Sequence, residues 1–308
     1  MKPYSLLSTF LCVGQMSFAS AIKLNDVSLM TIESARMEKS DVQGLVVTGG
    51  NLVLQDYEIA GSRKLGAIVG GALQLRRGQI RGTTELQGSA SIVESSLIQG
   101  DVKSVQVVSV TRAQIRGKLT SPNRPRITNG NISSYRRETP RFAVKISDLS
   151  AEMINQSAAL ARLQPNTSLQ QLGDKKLMQA TEGLSVMRIS SQELRRQHLV
   201  IQAAGAEQIV IQINEADVDL SDVTVTLSGL APEKLSWVMD SAISLMIQRT
   251  GDPSLGLPGF VYAPKAWAQF YEGLITGGLY VRQLGFIPEF GLKSGQINGI
   301  PFDDQPLN

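Results

Sequence analysis

The chain has 308 residues, with 30 basic and 27 acidic side chains and a formal net charge of +3 at pH 7. This near balance, without an RNA- or DNA-binding motif, argues against a nucleic-acid-binding protein. Its single cysteine, Cys12, and single histidine, His198, exclude a disulfide framework and zinc sites built from several Cys and His ligands.

Residues 1–21 have the pattern of a secretory signal peptide. They contain the basic Lys2, a short apolar segment and a small-residue cleavage pattern. The apolar segment is too short for a membrane-spanning helix, which needs about 20 residues. We therefore expect an exported protein, secreted or in the cell envelope, whose mature chain begins at Ile22 without any cysteine. A single domain is expected over residues 22–308.

A repeat dominates residues 41–117. An isoleucine followed two positions later by a glycine recurs every 17 to 21 residues, at Ile59, Ile80, Ile98 and Ile115. Apolar and polar residues alternate within each repeat, as they do in strands. The repeat predicts a β-solenoid whose stacked coils align the isoleucines in an internal ladder and place the glycines at corners. The alternative is an antiparallel β-sandwich, but the repeats resemble one another and lack Asn-Gly hairpin turns between them.

The pattern changes after the repeat. Proline and glycine over residues 121–140 predict a loop, and apolar residues at helical spacing over 147–164 predict one long helix. Residues 184–230 return to strand patterns, and the Ile-x-Gly signature reappears at Ile275 and Ile297. We therefore predict a mainly β fold, a β-solenoid with one long α-helix packed along its side.

Two sets of side chains are candidates for binding a partner. The first set is four arginines near the Ile-x-Gly corners: Arg77, Arg81, Arg112 and Arg116. They either align into a basic edge for an acidic polymer or form a solvated outer surface. The second set belongs to the aromatic residues of the last third and includes Trp267 and Tyr271. These either pack in the core or form a strip that binds sugar or protein.

Chemistry at a metal or a catalytic group is not expected. Asp217, Asp219 and Asp222 form an acidic run that resembles a calcium ligand set. The run alternates with Val218 and lacks the EF-hand pattern, so we interpret it as a strand with one wet face. His198 has no neighbouring ligand type and is interpreted as a structural surface residue. We expect no metal, no cofactor and no catalytic residues.

Several stretches resemble the bacterial choice-of-anchor A surface domain, which is sometimes described as collagen-binding. They are residues 40–61 (SDVQGLVVTGGNLVLQDYEIAG), 66–75, 142–161, 186–194, 259–281 and 298–302. Gln43 and Leu45 stand where that family's opening signature has an acidic residue and an arginine. The resemblance implies export and a β-solenoid with a long helix along one side, similar in plan to bacterial ice-binding domains. It supplies no catalytic residues.

We therefore expect a non-enzymatic, adhesin-like protein that binds extracellular matrix, a glycan or a cell-surface polymer, with no membrane span. One alternative is a carbohydrate-active β-helix enzyme of the polysaccharide lyase type, which needs Asp clustered with Arg or Lys in a groove. The charged residues are dispersed instead. A second alternative is an ice-binding protein, which needs regular threonine rows on a flat sheet. The candidates do not recur in register along the sequence: Thr48, Thr83, Thr84 and Thr111.

Overall fold

The computed structural model describes residues 22–248, 256–285 and 294–299. The predicted signal peptide lies outside these residues. Within them, no helix is both long and apolar enough to cross a membrane.

The first half of the chain forms short strands that all pair in parallel. A single-turn 3-10 helix, Leu24–Asp26, precedes them. In chain order they are β1 Val27–Thr31, β2 Ala35–Glu38, β3 Asp41–Gln43, β4 Leu45–Thr48, β5 Leu52–Gln55, β6 Glu58–Val69, β7 Leu73–Arg76, β8 Gln79–Leu86, β9 Ala90–Val93, β10 Leu97–Ile98, β11 Val102–Ser104, β12 Val108–Thr111, β13 Gln114–Ser121, β14 Arg126–Thr128 and β15 Asn131–Arg137. The long strands bend at a corner and continue on the next face of a triangular coil.

A long helix, α1, spans Ile146–Ala161 and separates the two halves. The predicted helix over 147–164 is confirmed, and its bounds shift by one to three residues. The second half contains β16 Leu169–Leu172, β17 Lys175–Gln179, β18 Gly183–Arg188, the short helix α2 Ser191–Leu194, β19 His198–Gln202, β20 Ala206–Gln212, β21 Asp217–Asp219, β22 Thr224–Ser228, a 3-10 helix Pro232–Lys234, β23 Leu235–Val238, β24 Ser244–Gln248, β25 Leu257–Tyr271, β26 Leu274–Gly285 and β27 Gln296–Asn298.

The first coil of the chain lies in the middle of the solenoid. Leu29 in β1 pairs with Val46 of the next coil on one side and with Leu279 in β26 on the other. The first half therefore extends from the centre to one end, α1 runs back along the side, and the second half returns from the opposite end to the centre.

Three faces result from this stacking. The helix face, part of which α1 covers, contains β18, β20, β23, the first part of β25, the middle of β26, β1, β4, the end of β6, the end of β8, β11, the end of β13 and the end of β15. The open face contains β21, β24, the ends of β25 and β26, β2, β5, β7, β9, β12 and β14. The third face carries the starts of the long strands together with β3, β10 and β27, and a separate sheet β16–β17–β19–β22 continues it in the second half.

The predicted isoleucine ladder is confirmed. Ile59, Ile80, Ile98 and Ile115 pair in register from coil to coil, and each is at most 1% exposed. In the central coil, Val42 pairs with Ile59 and with the late Ile297. Parallel stacking of identical positions buries the apolar face that one coil cannot bury alone. The antiparallel sandwich is therefore wrong, and the solenoid does resume after the helix.

The corner glycines are required by backbone proximity. A Cβ built on Gly100 would lie 2.2 Å from backbone atoms of Gly82, and one on Gly117 would lie 2.3 Å from the carbonyl oxygen of Gly100. Gly82 itself has φ +91°, in the region that favours glycine. These are the close approaches that the repeat predicted.

The predicted loop over 121–140 is wrong. The segment forms β14 and β15, which add one more coil on β12 and β13. Pro122 and Pro125 lie just after β13 and just before β14, and Gly130 lies between β14 and β15. These turn-forming residues therefore mark the corners of a coil, not a break in the solenoid.

Candidate functional site

The helix face is closed by an apolar layer beneath α1. Leu149 and Met153 of the helix pack on outward-pointing side chains of the sheet, among them Met30, Val47 and Ile68. All five residues are at most 2% exposed. Burial of this apolar surface holds the helix on the solenoid and leaves no room there for a ligand.

Part of the late aromatic set belongs to this buried layer. The rings of Phe260 and Tyr280 stack with centroids 5.7 Å apart, and Tyr262 meets Tyr280 edge-on at 5.0 Å. The Tyr280 hydroxyl lies 2.9 Å from the carbonyl oxygens of both Leu24 and Val27. Burial raises the pKa of Tyr262 and of Tyr280, so both stay neutral hydrogen-bonding groups. For these three rings the core-packing interpretation is confirmed.

The end of α1 is fixed by a buried amide. The Gln212 side chain is 0% exposed, and its Nε2 lies 2.9 Å from the carbonyl oxygens of Leu160 and Leu163 and 3.3 Å from that of Ala161. Its Oε1 accepts hydrogen bonds from Arg188 at 3.0 and 3.2 Å. Gln212 thus satisfies carbonyl groups that a helix leaves without intrahelical donors.

The open face differs in both chemistry and exposure. Its outward columns in the first half are mostly polar and partly solvent-exposed, and Gln74, Ser91 and Ser109 stand side by side on neighbouring strands. A shallow depression of about 300 Å³ lies over them and reaches Arg126. Trp267 is half-buried on the same face, between Ser244 and Gln283. The open face therefore offers hydrogen-bonding groups and one aromatic side chain on a continuous parallel sheet.

Two of the four predicted arginines lie at the corner between the open face and the third face. Arg77 and Arg112 have φ +48° and +51°, with Glu94 between them at the same corner. Arg77 forms a bidentate ion pair with Asp56 at 2.6 and 2.7 Å and contacts Glu94 at 3.1 Å. Arg112 lies 3.9 Å from Glu94. Positive and negative side chains therefore alternate up this corner.

The ion pairs at the corner also lower the pKa values of two carboxyl groups. The hydrogen bond from Arg77 lowers the pKa of Asp56, and the hydrogen bond from Arg76 lowers the pKa of Glu94. A guanidinium that donates to a carboxylate favours its charged form. The corner arginines therefore already have anionic partners within the chain.

The other two predicted arginines project from the third face. Arg81 and Arg116 follow the buried Ile80 and Ile115 on strands two coils apart, with Gln99 at the equivalent place between them. Arg81 pairs with Glu58 at 2.7 Å, and Arg116 is exposed. The structure therefore brings the four arginines to one side of the solenoid as two columns with interposed acidic and amide groups, and they do not form the single basic edge that was one of the two interpretations.

Several other candidates have clear positions. Tyr271 is 2% exposed at the end of β25, where it pairs with Ser294, so its ring is packed and not displayed. Asp217 and Asp219 flank the buried Val218, which confirms the strand with one wet face. Asp217 accepts a hydrogen bond from Ser244 at 2.6 Å. His198 is half-buried and lies 2.8 Å from the Thr226 hydroxyl.

The threonines noted in the sequence have different environments. Thr48 and Thr84 are 0% exposed and belong to the interior. Thr111 lies on the open face and pairs in register with Thr128 of the next coil. In the described part of the chain, no three His, Cys, Asp or Glu side chains are arranged to hold a metal ion.

Sequence reasoning missed the open face as a candidate site. Its signal is the period-two alternation in LVLQ, LQLR, ASIV and VSVT, which are β5, β7, β9 and β12. The second and fourth residues of each segment point outward and stack on those of the next. An alignment of the repeats by these segments would have grouped the outward residues into columns.

Comparison with known proteins gives one family and one solved structure. The model of a family described as "Putative Ice-binding-like adhesive domain" matches residues 23–290. The crystal structure of an ice binding protein from an Antarctic bacterium, Flavobacteriaceae, aligns over 92% of this chain and 98% of that chain, with 11% sequence identity and a TM-score of 0.34. No curated protein matches the chain. The choice-of-anchor A resemblance stays a prediction.

Proposed function

The chain belongs to the family of ice-binding-like adhesive domains, and on that premise we propose that it is an exported, non-enzymatic adhesive domain that binds an extended glycan along its open face. The open face is the site, and the partner is a polymer of the matrix or the cell surface. Export rests on the signal-peptide pattern of residues 1–21.

The proposal rests on one observation: the outward side chains of two long faces differ in polarity and in exposure. Beneath α1 the outward residues of the helix face are apolar and covered, as Met30 and Val47 are. On the open face the equivalent outward residues are mostly polar and partly exposed, as Gln74, Ser91 and Ser109 are. A sheet face that needs no cover and carries donors and acceptors is suited to contact with a polar partner.

The dimensions of the open face favour an extended partner. Ten parallel strands at a spacing of about 4.8 Å give a platform about 43 Å long. Its depression is shallow and runs across strands β7 to β14. Small-molecule sites are usually concave and bury most of their ligand, so a long polymer fits this surface better.

The side chains of the face suit a hydroxyl-rich polymer. Ser91, Ser109 and Gln74 donate and accept hydrogen bonds, and Arg126 donates several. Trp267, half-buried at the other part of the face, offers an aromatic edge with a polar indole nitrogen. Glycans present hydroxyl groups and apolar ring faces, which these two kinds of side chain can contact together.

The test is a binding screen of the mature chain over cell-wall polysaccharides, acidic glycans and matrix proteins, followed by two matched variants. Ser91→Trp places a bulky ring in the middle of the open face, and Gln99→Trp places the same ring at an exposed position of the same coil on the third face. We expect Ser91→Trp to weaken glycan binding at least tenfold and Gln99→Trp to leave it within about twofold. Equal effects of both variants, no binder at low salt, or turnover of a polysaccharide would each contradict the proposal.

The arginine columns give a second arm of the test. Replacing Arg81 and Arg116 together by Ala removes the third-face column without touching the open face. If the partner is an acidic polymer that also wraps onto the third face, its binding falls steeply with salt, since screening acts within about 10 Å at 0.1 M, and this double variant weakens it. A neutral glycan on the open face is insensitive to both changes.

A second candidate function is ice binding. It is favoured by the in-register pair of Thr111 and Thr128 on the open face, which are two rungs of a threonine row. An ice-recrystallisation assay distinguishes it from glycan adhesion. Inhibition that is lost in Ser91→Trp and kept in Gln99→Trp would assign the same face to ice.

A further inference from the structure

The two ends of the solenoid are finished differently. At the end formed by the second half, the Asn166 side chain accepts a hydrogen bond from the Val186 amide at 2.7 Å and donates to the Leu184 carbonyl at 2.9 Å. Thr167 bridges to Met187, and β16 pairs with the outer edge of β17. This segment therefore caps the edge strands with hydrogen bonds.

The opposite end has no such cap in the described part of the chain. Among the described strands, β14 pairs only with β12, and β15 pairs only with β13, so one edge of each has no strand partner among them. All three residues of β14 are exposed, and so are all residues of β15 except Ile132. An edge with unpaired N–H and C=O groups is a template for pairing with another chain.

Interior positions are uncovered at this same end. Ile127 continues the column of the buried Val110 and is 49% exposed. Tyr135 continues the column of Leu119 and is 36% exposed. Side chains that are buried in every earlier coil are therefore left in contact with solvent, because no further coil of the described chain stacks on them.

The end is also strongly basic. The segment from residue 121 to residue 141 contains five arginines and one glutamate: Arg124, Arg126, Arg136, Arg137, Arg141 and Glu138. Glu138 pairs with Arg136 at 2.5 Å, and Arg126, Arg137 and Arg141 are exposed. A partner for this end must therefore supply negative charge.

We infer that the open end of the solenoid, formed by β14 and β15, binds an acidic polypeptide segment that adds as one further coil, pairing first with β14 and then with β15. Strand addition satisfies the free backbone groups, and alternate apolar residues of the segment cover Ile127 and Tyr135. Acidic residues at the other positions face the outward Arg126 beside Ile127 and the outward Arg136 beside Tyr135. Head-to-head docking of two copies would place like charges against each other.

A polypeptide fits this end better than an anionic polysaccharide. Both supply negative charge, but only a peptide presents N–H and C=O groups at the repeat of a strand. The exposed Ile127 and Tyr135 also require apolar side chains opposite them. The polysaccharide is therefore the alternative that the experiment has to separate.

The experiment measures binding of a labelled peptide of alternating Val and Glu to the mature chain by fluorescence anisotropy. The same peptide with methylated backbone nitrogens keeps charge and side chains but cannot form the ladder. Polygalacturonate serves as the anionic polysaccharide. We expect the Val-Glu peptide to bind at low salt, its methylated form to bind at least tenfold more weakly, and binding to coincide with protection of β14 and β15 amides from hydrogen exchange.

A pair of charge-matched variants locates the site. Arg126→Glu with Arg136→Glu reverses two exposed charges at the open end, and Lys64→Glu with Lys234→Glu makes the same change in net charge at exposed positions elsewhere. The first variant is expected to lose peptide binding at least tenfold and the second to keep it within about threefold. Circular dichroism melting checks that both variants are folded. If either variant is unfolded, the comparison of the Val-Glu peptide with its methylated form still tests strand addition on the unmodified chain.

Three outcomes would overturn the inference. They are no binding of the Val-Glu peptide at low salt, equal binding of the methylated peptide or of polygalacturonate, and equal loss in both variants. The open-face variant Ser91→Trp leaves this end unchanged, so failure of the glycan proposal and failure of strand addition are distinguishable.

Discussion

Gln212 is expected to control the stability of the helix on the solenoid. Its amide nitrogen has two hydrogens and lies within 3.3 Å of three carbonyl oxygens at the end of α1. Gln212→Leu keeps the side-chain size and removes both donors. Two carbonyl groups then lose their partners at a site where the side chain is 0% exposed.

The magnitude follows from the number of groups left unsatisfied. A buried polar group without a partner costs about 1–3 kcal/mol. Since water reaches part of this helix end, we expect Gln212→Leu to lower the free energy of unfolding by about 2–4 kcal/mol. Gln74→Leu makes the same change at an exposed position of the open face and should stay within about 0.5 kcal/mol of the parent.

Gln212→Glu tests the direction of the hydrogen bonds. A carboxylate at this position would face carbonyl oxygens at the negative end of the helix dipole, so its pKa in the folded state lies above its unfolded value. A raised pKa means that the folded state binds the proton more tightly, so the variant gains stability relative to the parent as pH falls toward the unfolded pKa of Glu. Arg188, which contacts the same side chain, offsets part of this effect.

Urea unfolding followed by circular dichroism measures all three variants. A loss below about 0.5 kcal/mol in Gln212→Leu would show that the carbonyl groups do not depend on this amide. A stability difference between Gln212→Glu and the parent that does not change with pH would show that the carboxylate does not face the carbonyl oxygens.

Three further predictions concern the ladder, the corner and export. Ile98→Asp buries an unpaired charge between Ile80 and Ile115 and should lower the free energy of unfolding by several kcal/mol, about 3 or more; an unchanged urea midpoint would contradict the ladder. The pKa of Asp56 is lowered by Arg77, so its contribution to stability is complete above the unfolded value near 3.8 and is lost as pH falls through the lower folded pKa. Asp56→Asn should therefore flatten the acid limb of the stability curve, and an unchanged limb would refute the linkage. Intact mass of exported material should place the mature terminus at Ile22, whereas retained residues before it would refute the cleavage.

Local repetition is what the sequence predicts well in this chain. Stacking places equivalent positions of successive coils against one another in the core, so each coil needs an apolar residue there. This is why an isoleucine recurs at Ile59, Ile80, Ile98 and Ile115. The ladder in fact continues to Ile132, again 17 residues on. It escaped notice because the glycine that follows the other isoleucines is replaced there by Ser134, and because prolines precede it.

The order of the coils could not be predicted from the sequence. Leu29 has a parallel partner on each side, and nothing in its own segment tells that one partner is Leu279. Parallel strands of a solenoid have the same alternation whichever coil lies beside them. The covered face was equally hidden, since bulky outward residues such as Tyr262 and Tyr280 fit either a core or a display surface until α1 is placed on them.

The site is predictable only in its residue types. Arginines near the corners were recognised, but their partners Asp56 and Glu94 come from neighbouring coils, so pairing depends on the stacking register. Trp267 was recognised as an aromatic side chain, and its place on the open face follows from the register of β25 with β24 and β26.

Because the first coil occupies the centre, the order of synthesis and the order of stacking disagree. β1 can pair with β4 as soon as both have emerged, but its other edge stays open until β26 has been made some 250 residues later. β3 waits in the same way for β27. Contacts of such long sequence separation slow folding, because the intervening chain must be ordered before they form. The newly made chain therefore carries a temporary unpaired seam at its middle, and the last-made strands are the ones that close it.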